Sequence, residues 1–500
     1  MQDCDVVVVG GGPAGSAAAA RLAAQGFATI LVDRANFPRD KACGDFVGPA
    51  ALSELADLEV TDTEAFGATN MIHDFALHVD GLPAGVLPIP RVNGLPPYGR
   101  VIPRQQLDAW VLDAARHAGA TVCEGRKVTG VCPGRDALTV HGQCATGPWQ
   151  LRTRLLIGAD GSSSLVARTL RGSAPPHQDR IFAVRAYLDG VSGAADQAAI
   201  CLSRESFPGY SWVFPSGDGQ ANVGVGIVAS TYPQSGHNLR ALLLRMIAED
   251  ASMRQRLGEA RIRGRVIGWP LTTYNPRLPL VGDRMMLVGD AAGLINPLNG
   301  EGIQYALHSG RWAAEVAADR LLSGQLDATS LAAYEQCVHR NLRRDMAFSR
   351  LLVELFRNRA MNPIWLRTLR SVAALASIDP DYAYRVGCVL TDVPPGTRAL
   401  GLSVALKTVK EAARSPRAGV SSSRSIGRSP HGPPNASGNT IAGPTRPVPN
   451  PGEFVVWAAG VGQALAELAI RPVHRRGTLS NSGARHAGGS CRRGGGGGRL

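Results

Sequence analysis

Aromatic residues make up only 5% of this 500-residue chain, so a group of them at regular spacing carries information. Cysteines number nine, but none forms a CxxC pair and no histidines follow at zinc-type spacing. Neither a metal site nor a disulfide framework is expected, and the thiols read as reduced. Before residue 450 no apolar run reaches the ~20 residues that span a bilayer. The N-terminus, MQDCDVVVVGGG, lacks the charged and apolar regions of a signal peptide. A cytoplasmic location follows as the expectation. The front of the chain is also short of charge: of the net +13, ten come from the twelve arginines and two acids after residue 413. A nucleic-acid partner is therefore not expected, because the basic character belongs to the tail.

What is present suggests two or three domains. Through the first 170 residues β-branched runs alternate with Ala/Leu/Arg-rich helical runs, the pattern of an α/β domain on a mostly parallel sheet. Residues 175–280 are short Val/Ile/Phe/Tyr segments between Gly, Pro, Asp and Ser turns, which predicts an inserted antiparallel sheet. From Ile303 to about Ala376 the spacing is helical, interrupted near Asn362-Pro363. Segments 414–450 and 473–500 are Ser/Gly/Pro/Arg-rich and predicted to be disordered. Between them, 451–472 is an apolar helix-like island containing Gln463 and Glu467, which suits interfacial docking or packing on the protein better than a membrane crossing.

The first chemical motif is Gly10-Gly11-Gly12-Pro13-Ala14-Gly15, after a strand-like Asp5–Val9 run and before an Ala-rich helix. In GxGxxG, Gly10 permits the turn, Gly12 lets a pyrophosphate approach and Gly15 lets helix and strand pack. The phosphates would lie on the helix N-terminus. A second strand ends in Asp33, followed by Arg34, where a carboxylate can bond an adenosine ribose. Strand, glycines, helix, strand and acid together predict a dinucleotide site. No second GxGxxG opens a helix, so a nicotinamide donor or a redox protein would have to visit transiently.

Farther on, Met285 to Gly293 and Asn296 to Gly302 precede a helix. Here the chain resembles the FAD-binding fold of aromatic hydroxylases, flavin halogenases and geranylgeranyl reductases. The resemblance implies that Gly289 and Asp290 hold the ribityl chain and that Gly300, Gly302 and Ile303 bring amides to the flavin. Asp160 and Gly161 match its middle motif near the pyrophosphate, and Arg104 its flavin-contacting arginine. Two further stretches, Phe37-Pro38-Arg39-Asp40-Lys41-Ala42-Cys43-Gly44-Asp45 and Tyr210-Ser211-Trp212-Val213-Phe214-Pro215 with Asn222 to Gly226, resemble the geranylgeranyl reductase family specifically.

The fold so implied is α/β: a Rossmann-like, aromatic hydroxylase-type FAD domain (1–70, 98–174, 279–325), an inserted antiparallel substrate sheet (71–97, 175–278) and a helical C-terminal part (326–413). The implied activity is saturation of isoprenoid carbon–carbon double bonds by hydride from reduced flavin. Cys43 and Gly44 come near the flavin in that family. Cys43 is then a proton donor, a contact that bends the flavin, or a small buried residue.

Tyr210, Trp212 and Phe214 share one strand face. They are either ordinary sheet core or, as their position beside the flavin favours, the wall of an apolar cavity that also includes Pro215 and Gly224. The implied partner is an isoprenoid lipid. An aromatic monooxygenase and a non-catalytic prenyl-lipid carrier of the escort type are the alternatives. Halogenation fits poorly, because no lysine occurs between Lys41 and Lys127. The arginine tail either anchors the protein peripherally at a membrane or is a dispensable solvated extension.

Overall fold

The computed structural model describes residues 2–231, 238–393, 408 and 457–464. Its first sheet is centred on strand Gln2–Val9, where Val6, Val7 and Val8 have no exposed surface. A strand buried on both faces needs parallel neighbours covered by helices. Those neighbours are Thr29–Val32 on one side and Gly147–Gly158 on the other. The sheet continues through Thr121–Cys123 at one edge and Met285–Leu287 with Val281–Gly282 at the other.

Helix Pro13–Ala24 crosses from the first strand to the second, with Pro at its first turn, where the missing N–H costs nothing. Two glycines make this crossover possible. Gly10 has φ +109, and a Cβ on Gly15 would lie 2.0 Å from the Gly10 carbonyl oxygen. On its outer side the helix packs its buried alanines against helix Ile303–Ser323. There Gly310 passes so close that a Cβ would meet the Ala14 carbonyl at 2.4 Å.

The second sheet has seven strands in the order Arg261–Thr272, Arg180–Asp189, Gln220–Val228, Tyr210–Gly217, Gln197–Leu202, Asp74–Val79 and Leu82–Pro88. All its pairings are antiparallel except Gln197–Leu202 with Asp74–Val79. Phe46–Val47, Gly99–Val101 and Asn70–Ile72 form a small third sheet.

Helices Ala328–Phe356, Asn362–Ile378 and Pro380–Leu390 follow. The break falls at 357–361, just ahead of Asn362-Pro363, because that proline opens the next helix rather than interrupting one. The 414–450 and 473–500 segments lie outside the described residues. Of the 451–472 island, 457–464 is described. It is helical, and Trp457 Nε1 donates to the Glu354 carbonyl at 2.9 Å, docking it on the helical part of the protein. Among the described residues no helix is long and apolar enough to cross a membrane.

Candidate functional site

A cavity of about 820 Å³ opens where the two large sheets and the helical part meet. One wall comes from strand Tyr210–Gly217. Trp212 lies opposite Gly224 on the next strand, and a Cβ there would sit 2.2 Å from the indole. The bare glycine therefore lets the ring lie flat over its neighbour. Trp212 Nε1 donates to Asn222 Oδ1 at 2.9 Å, so the indole's only polar atom is satisfied. Tyr210 and Phe214 flank it with ring centroids 6.1 Å away on each side.

All three aromatics line the cavity, together with Phe75, Ile200 and Phe207 from the same region and Trp365, Leu369 and Val372 from helix Asn362–Ile378. That helix turns positions 365, 368, 369 and 372 inward, one stripe at 3- and 4-residue spacing. The strand face is thus cavity wall. Pro215 and Gly224 are not on it. The Pro215 carbonyl accepts from Asn70 Nδ2 at 2.7 Å, and Gly224 supports the indole from beneath.

The polar part of the lining adjoins these aromatics, with Gly44 beside Phe214 and Gly300 beside Tyr210, and belongs to the loops of the first sheet. Pro13, Cys43, Gly44, Arg104, Asp290, Gly300, Gly302 and Ile303 line it, which brings together residues spread over almost 300 positions. Behind Pro13 lies the glycine turn with Gly10, Gly12, Ala14 and Gly15. Gly12 caps its helix without any side-chain acceptor, so the first amides remain available to an anion. A Cβ on Gly12 would meet nothing closer than Arg39 Nη2 at 3.6 Å. The space over it is free and carries positive charge nearby.

Asp33 Oδ2 accepts from Gly11 N at 2.7 Å and Oδ1 from Ala35 N at 2.8 Å. The carboxylate fixes the turn and keeps a second lone pair on each oxygen for a ribose. Arg34 beside it is exposed. Asp160 does not reach the cavity: it accepts from Leu165 N at 2.6 Å and from the Ser164 hydroxyl, starting helix Leu165–Arg171. Gly161, at φ +79, completes that turn. Gly289, at φ +56, acts through packing, since a Cβ would lie 2.8 Å from Ala14 Cβ.

Charge in this part is tightly matched. Arg104 forms a two-point contact with Asp108, Nε to Oδ1 at 2.7 Å and Nη2 to Oδ2 at 2.8 Å, and Arg39 joins the same carboxylate at 3.0 Å. Burial works to raise the Asp290 carboxyl, but the Lys41 ammonium at 2.9 Å outweighs it and holds the group below its ordinary range. Burial pushes the Cys43 thiol up, against the pull of Arg104, so it stays protonated.

Residues that sequence reasoning left without a role complete the site: Lys41, Asp45, Arg185, Tyr187, Asn222, Glu301 and Asp392. Lys41 and Asp45 stand inside the quoted Phe37–Asp45 stretch. Asn222 opens the quoted Asn222–Gly226 stretch, without a role assigned to it. The others gave no signal, because their partners are more than 80 residues away or, for Glu301, because burial alone makes it unusual.

The 296–302 loop is held from the helical part. Asp392 accepts from Asn296 Nδ2 at 2.9 and 3.0 Å and from Asn299 Nδ2 at 3.0 Å, while Tyr210 Oη donates to the Asn299 carbonyl at 2.5 Å. Burial lifts both Glu301 and Asp392 to about 7. Between pH about 4 and 7 the folded chain then binds more protons than the unfolded one, so folding stability rises as pH falls through that window. Thermal melting should therefore move upward from pH 8 to pH 6. In Glu301→Gln, whose side-chain oxygen can still accept from Gln304 N, the upward movement should shrink.

The donor set fits FAD: a glycine turn and a helix N-terminus open at Gly12, and a carboxylate at Asp290 on the cavity surface, beside a second helix start at Gly302 whose Gln304 amide is already taken by Glu301 Oε1 at 3.1 Å. Comparisons with known proteins agree. The FAD binding domain family model matches residues 3–349. Menaquinone reductase of Mycolicibacterium smegmatis is 36% identical over 331 residues, covering 62% of this chain and 76% of that protein. Digeranylgeranylglycerophospholipid reductase 2 of Methanopyrus kandleri is 32% identical over 347 residues, covering 66% and 81%. Among solved structures, a geranylgeranyl bacteriochlorophyll reductase-like protein of Thermoplasma acidophilum superposes with a TM-score of 0.63 at 22% identity, over 83% of this chain and 97% of that one.

Proposed function

The chain belongs to the geranylgeranyl reductase family of FAD-dependent oxidoreductases, and from that premise we propose that it saturates a carbon–carbon double bond in the prenyl chain of a lipid, with a menaquinone or a geranylgeranyl lipid as the substrate class. The single observation that carries this reading is the cavity itself. A polar FAD end runs without interruption into an aromatic and aliphatic chamber with almost no hydrogen-bonding groups on its walls. Such a chamber selects by apolar contact, at ~0.8 kcal/mol per buried methylene.

Bound FAD, when reduced, supplies the hydride equivalent. The chain's own residues do the rest. The amides at Gly12 and the helix behind it hold the pyrophosphate. Asp33 takes the ribose, while Asp290, steadied by Lys41, takes the ribityl hydroxyls. The Gly300 amide is spent on the Asn296 carbonyl at 3.0 Å, so it is the positive end of the helix opening at Gly302, not a Gly300 hydrogen bond, that would face the ring. Trp212, Tyr210 and Phe214 hold the alkene against it and exclude water, which an unactivated double bond requires because it has no carbonyl to absorb charge. Cys43, kept as a thiol by burial, faces the chamber and holds a proton at Sγ.

The electron donor, a nicotinamide or a redox protein, visits transiently. A lipid substrate would bring the protein into peripheral contact with a membrane surface.

Turnover in air with isotopically heavy oxygen tests the reaction class. A product that has lost one double bond and contains no heavy oxygen supports reduction. Oxygen incorporation into a ring would make the protein a monooxygenase. Bound prenyl lipid with no flavin absorbance would make it a carrier.

A further inference from the structure

Saturating an alkene consumes a proton for every hydride, and the chamber that excludes water must still be supplied with one. Cys43 has a single proton to give. What restores it is visible in the packing behind the turn at residues 43–45.

Asp45 follows Cys43 by two positions and lines the same cavity, yet it has no solvent-accessible surface. It sits at φ +64, a left-handed conformation that an Asp adopts only where its surroundings hold it. Its Oδ2 accepts from Tyr187 Oη at 2.6 Å and from Asn222 Nδ2 at 2.8 Å. Oδ1 is buried without a hydrogen-bond partner. A buried carboxylate oxygen left unpaired is costly, whereas a carboxylic acid places its proton there at much lower cost.

Asn222 ties this carboxyl to both sides of the chamber wall. It also donates to the Cys43 carbonyl at 2.8 Å and accepts from Trp212. The Asp45 amide points at Cys43 Sγ at 3.4 Å.

Outward from Asp45 the next group is Tyr187, half-buried on strand Arg180–Asp189. Arg185 lies 4.0 Å from its ring centre, and the exposed Arg263 lies 5.4 Å away on the other strand. Tyr187 thus stands between the sealed carboxyl and the sheet surface, where Arg263 is exposed and Arg185 is buried.

We propose that Asp45 and Tyr187 form a proton relay that recharges Cys43 from outside the lipid chamber. Asp45 and Tyr187 are positioning and supply residues; Cys43 is the group that gives the proton to the substrate. This inference rests on the reductase reading, in which the hydride equivalent comes from the reduced cofactor and the alkene is the oxidant. In the protein, the Cys43 S–H bond breaks as the second C–H bond forms. A turn of the Cys43 side chain toward Oδ1, which has no partner at rest, lets the thiolate take the Asp45 O–H proton; the Asp45 carboxylate then takes the Tyr187 proton, and Tyr187 takes one from water. Net, the substrate gains two hydrogens, the cofactor is oxidised, and the three side chains return to their starting state.

Burial lifts the Asp45 carboxyl to about 6, against the hydrogen bonds of Tyr187 and Asn222 and the charges of Arg185 and Arg104. Burial also pushes Tyr187 upward, with Asp45 beside it acting the same way. The charged and titratable groups around the carboxyl are Lys41 and Cys43 on its own turn, Arg185 (paired with Asp40) and Tyr187 on the neighbouring strand, and Arg104 with Asp108 on the helix beneath. The Asp45 carboxyl, lifted by burial to about 6, is the titrating group the relay turns on.

The test uses the FAD-loaded full chain. Infrared difference spectra between pH 5 and 8 should show, beside the carboxyl bands of Glu301 and Asp392 with midpoints near 7, a protonated-carboxyl band that disappears with a midpoint near 6, is absent from Asp45→Asn and moves in Tyr187→Phe. Asp45→Asn should keep its flavin and its melting temperature while the anaerobic rate of lipid reduction falls by about a hundred-fold or more, the scale of a lost acid–base group. The wild-type rate should fall above about pH 6, and that dependence should vanish in the variant.

A relay of this kind is overturned if the band with its midpoint near 6 survives unchanged in Asp45→Asn, or if Asp45→Asn reduces lipid at the wild-type rate. A wild-type protein that reduces no prenyl lipid overturns the reductase reading instead. The infrared band then decides separately whether Asp45 holds the proton.

Discussion

A Gly12→Val chain folds but purifies colourless. Gly12 has φ −75 and ψ 179, an extended conformation open to any residue, and its Cβ would approach only the movable end of Arg39. The fold therefore loses little, about 1 kcal/mol at most for a poorer helix cap. The added branch nevertheless occupies the space through which a pyrophosphate would reach the helix amides. Losing two charge-assisted hydrogen bonds, at about 1.5–3 kcal/mol each, is at least a hundred-fold in affinity. Gly15→Val provides the contrast, because its Cβ would lie 2.0 Å from the Gly10 carbonyl and the chain should fail to fold. Melting curves and flavin absorbance of the two proteins separate a glycine that serves the ligand from one that serves the crossover.

Chain-length selection should change sharply in Leu369→Trp. Leu369 packs with Val79, Phe207 and Trp365 and lines the chamber away from the Pro13 and Asp290 end. A larger ring there shortens the chamber without touching the flavin residues. Excluding one isoprene unit forfeits the burial of its methylene-sized groups, about 4 kcal/mol, which is roughly a thousand-fold in kcat/KM. A prenyl chain short enough to end before Leu369 should be reduced at the wild-type rate. Competition between a short and a long substrate, read by product mass, checks this. Equal losses for both lengths would mean that residue 369 does not limit the chain.

How legible all this was in the sequence depended on where each residue finds its partners. The FAD-type fold could be read because Gly10, Gly12, Gly15 and Asp33 act within one crossover, and the spacing of strand, turn and helix is itself the signal. The aromatic face could be read from the two-residue period at 210, 212 and 214.

Asp160 marks the limit of that method. Its motif gave a position near the pyrophosphate, and its amide does border the glycine turn, 3.0 Å from where a Gly10 Cβ would sit; what the motif did not give is that both carboxylate oxygens serve to start helix Leu165–Arg171. Pro215 and Gly224 were assigned to the substrate through the family resemblance of the stretches that hold them, whereas one turns its carbonyl to Asn70 and the other lies under Trp212. The Asp45–Tyr187–Asn222 cluster was illegible for a physical reason. Its hydrogen bonds span 142 and 177 positions, and no periodicity links a turn residue to two different strands of another sheet.

The most direct measurement is a single turnover without oxygen. Dithionite-reduced holoprotein, mixed with a panel of prenyl lipids, should yield one product heavier by two hydrogens for each flavin oxidised. Flavin that stays reduced beside every lipid, with all masses unchanged, would contradict the account.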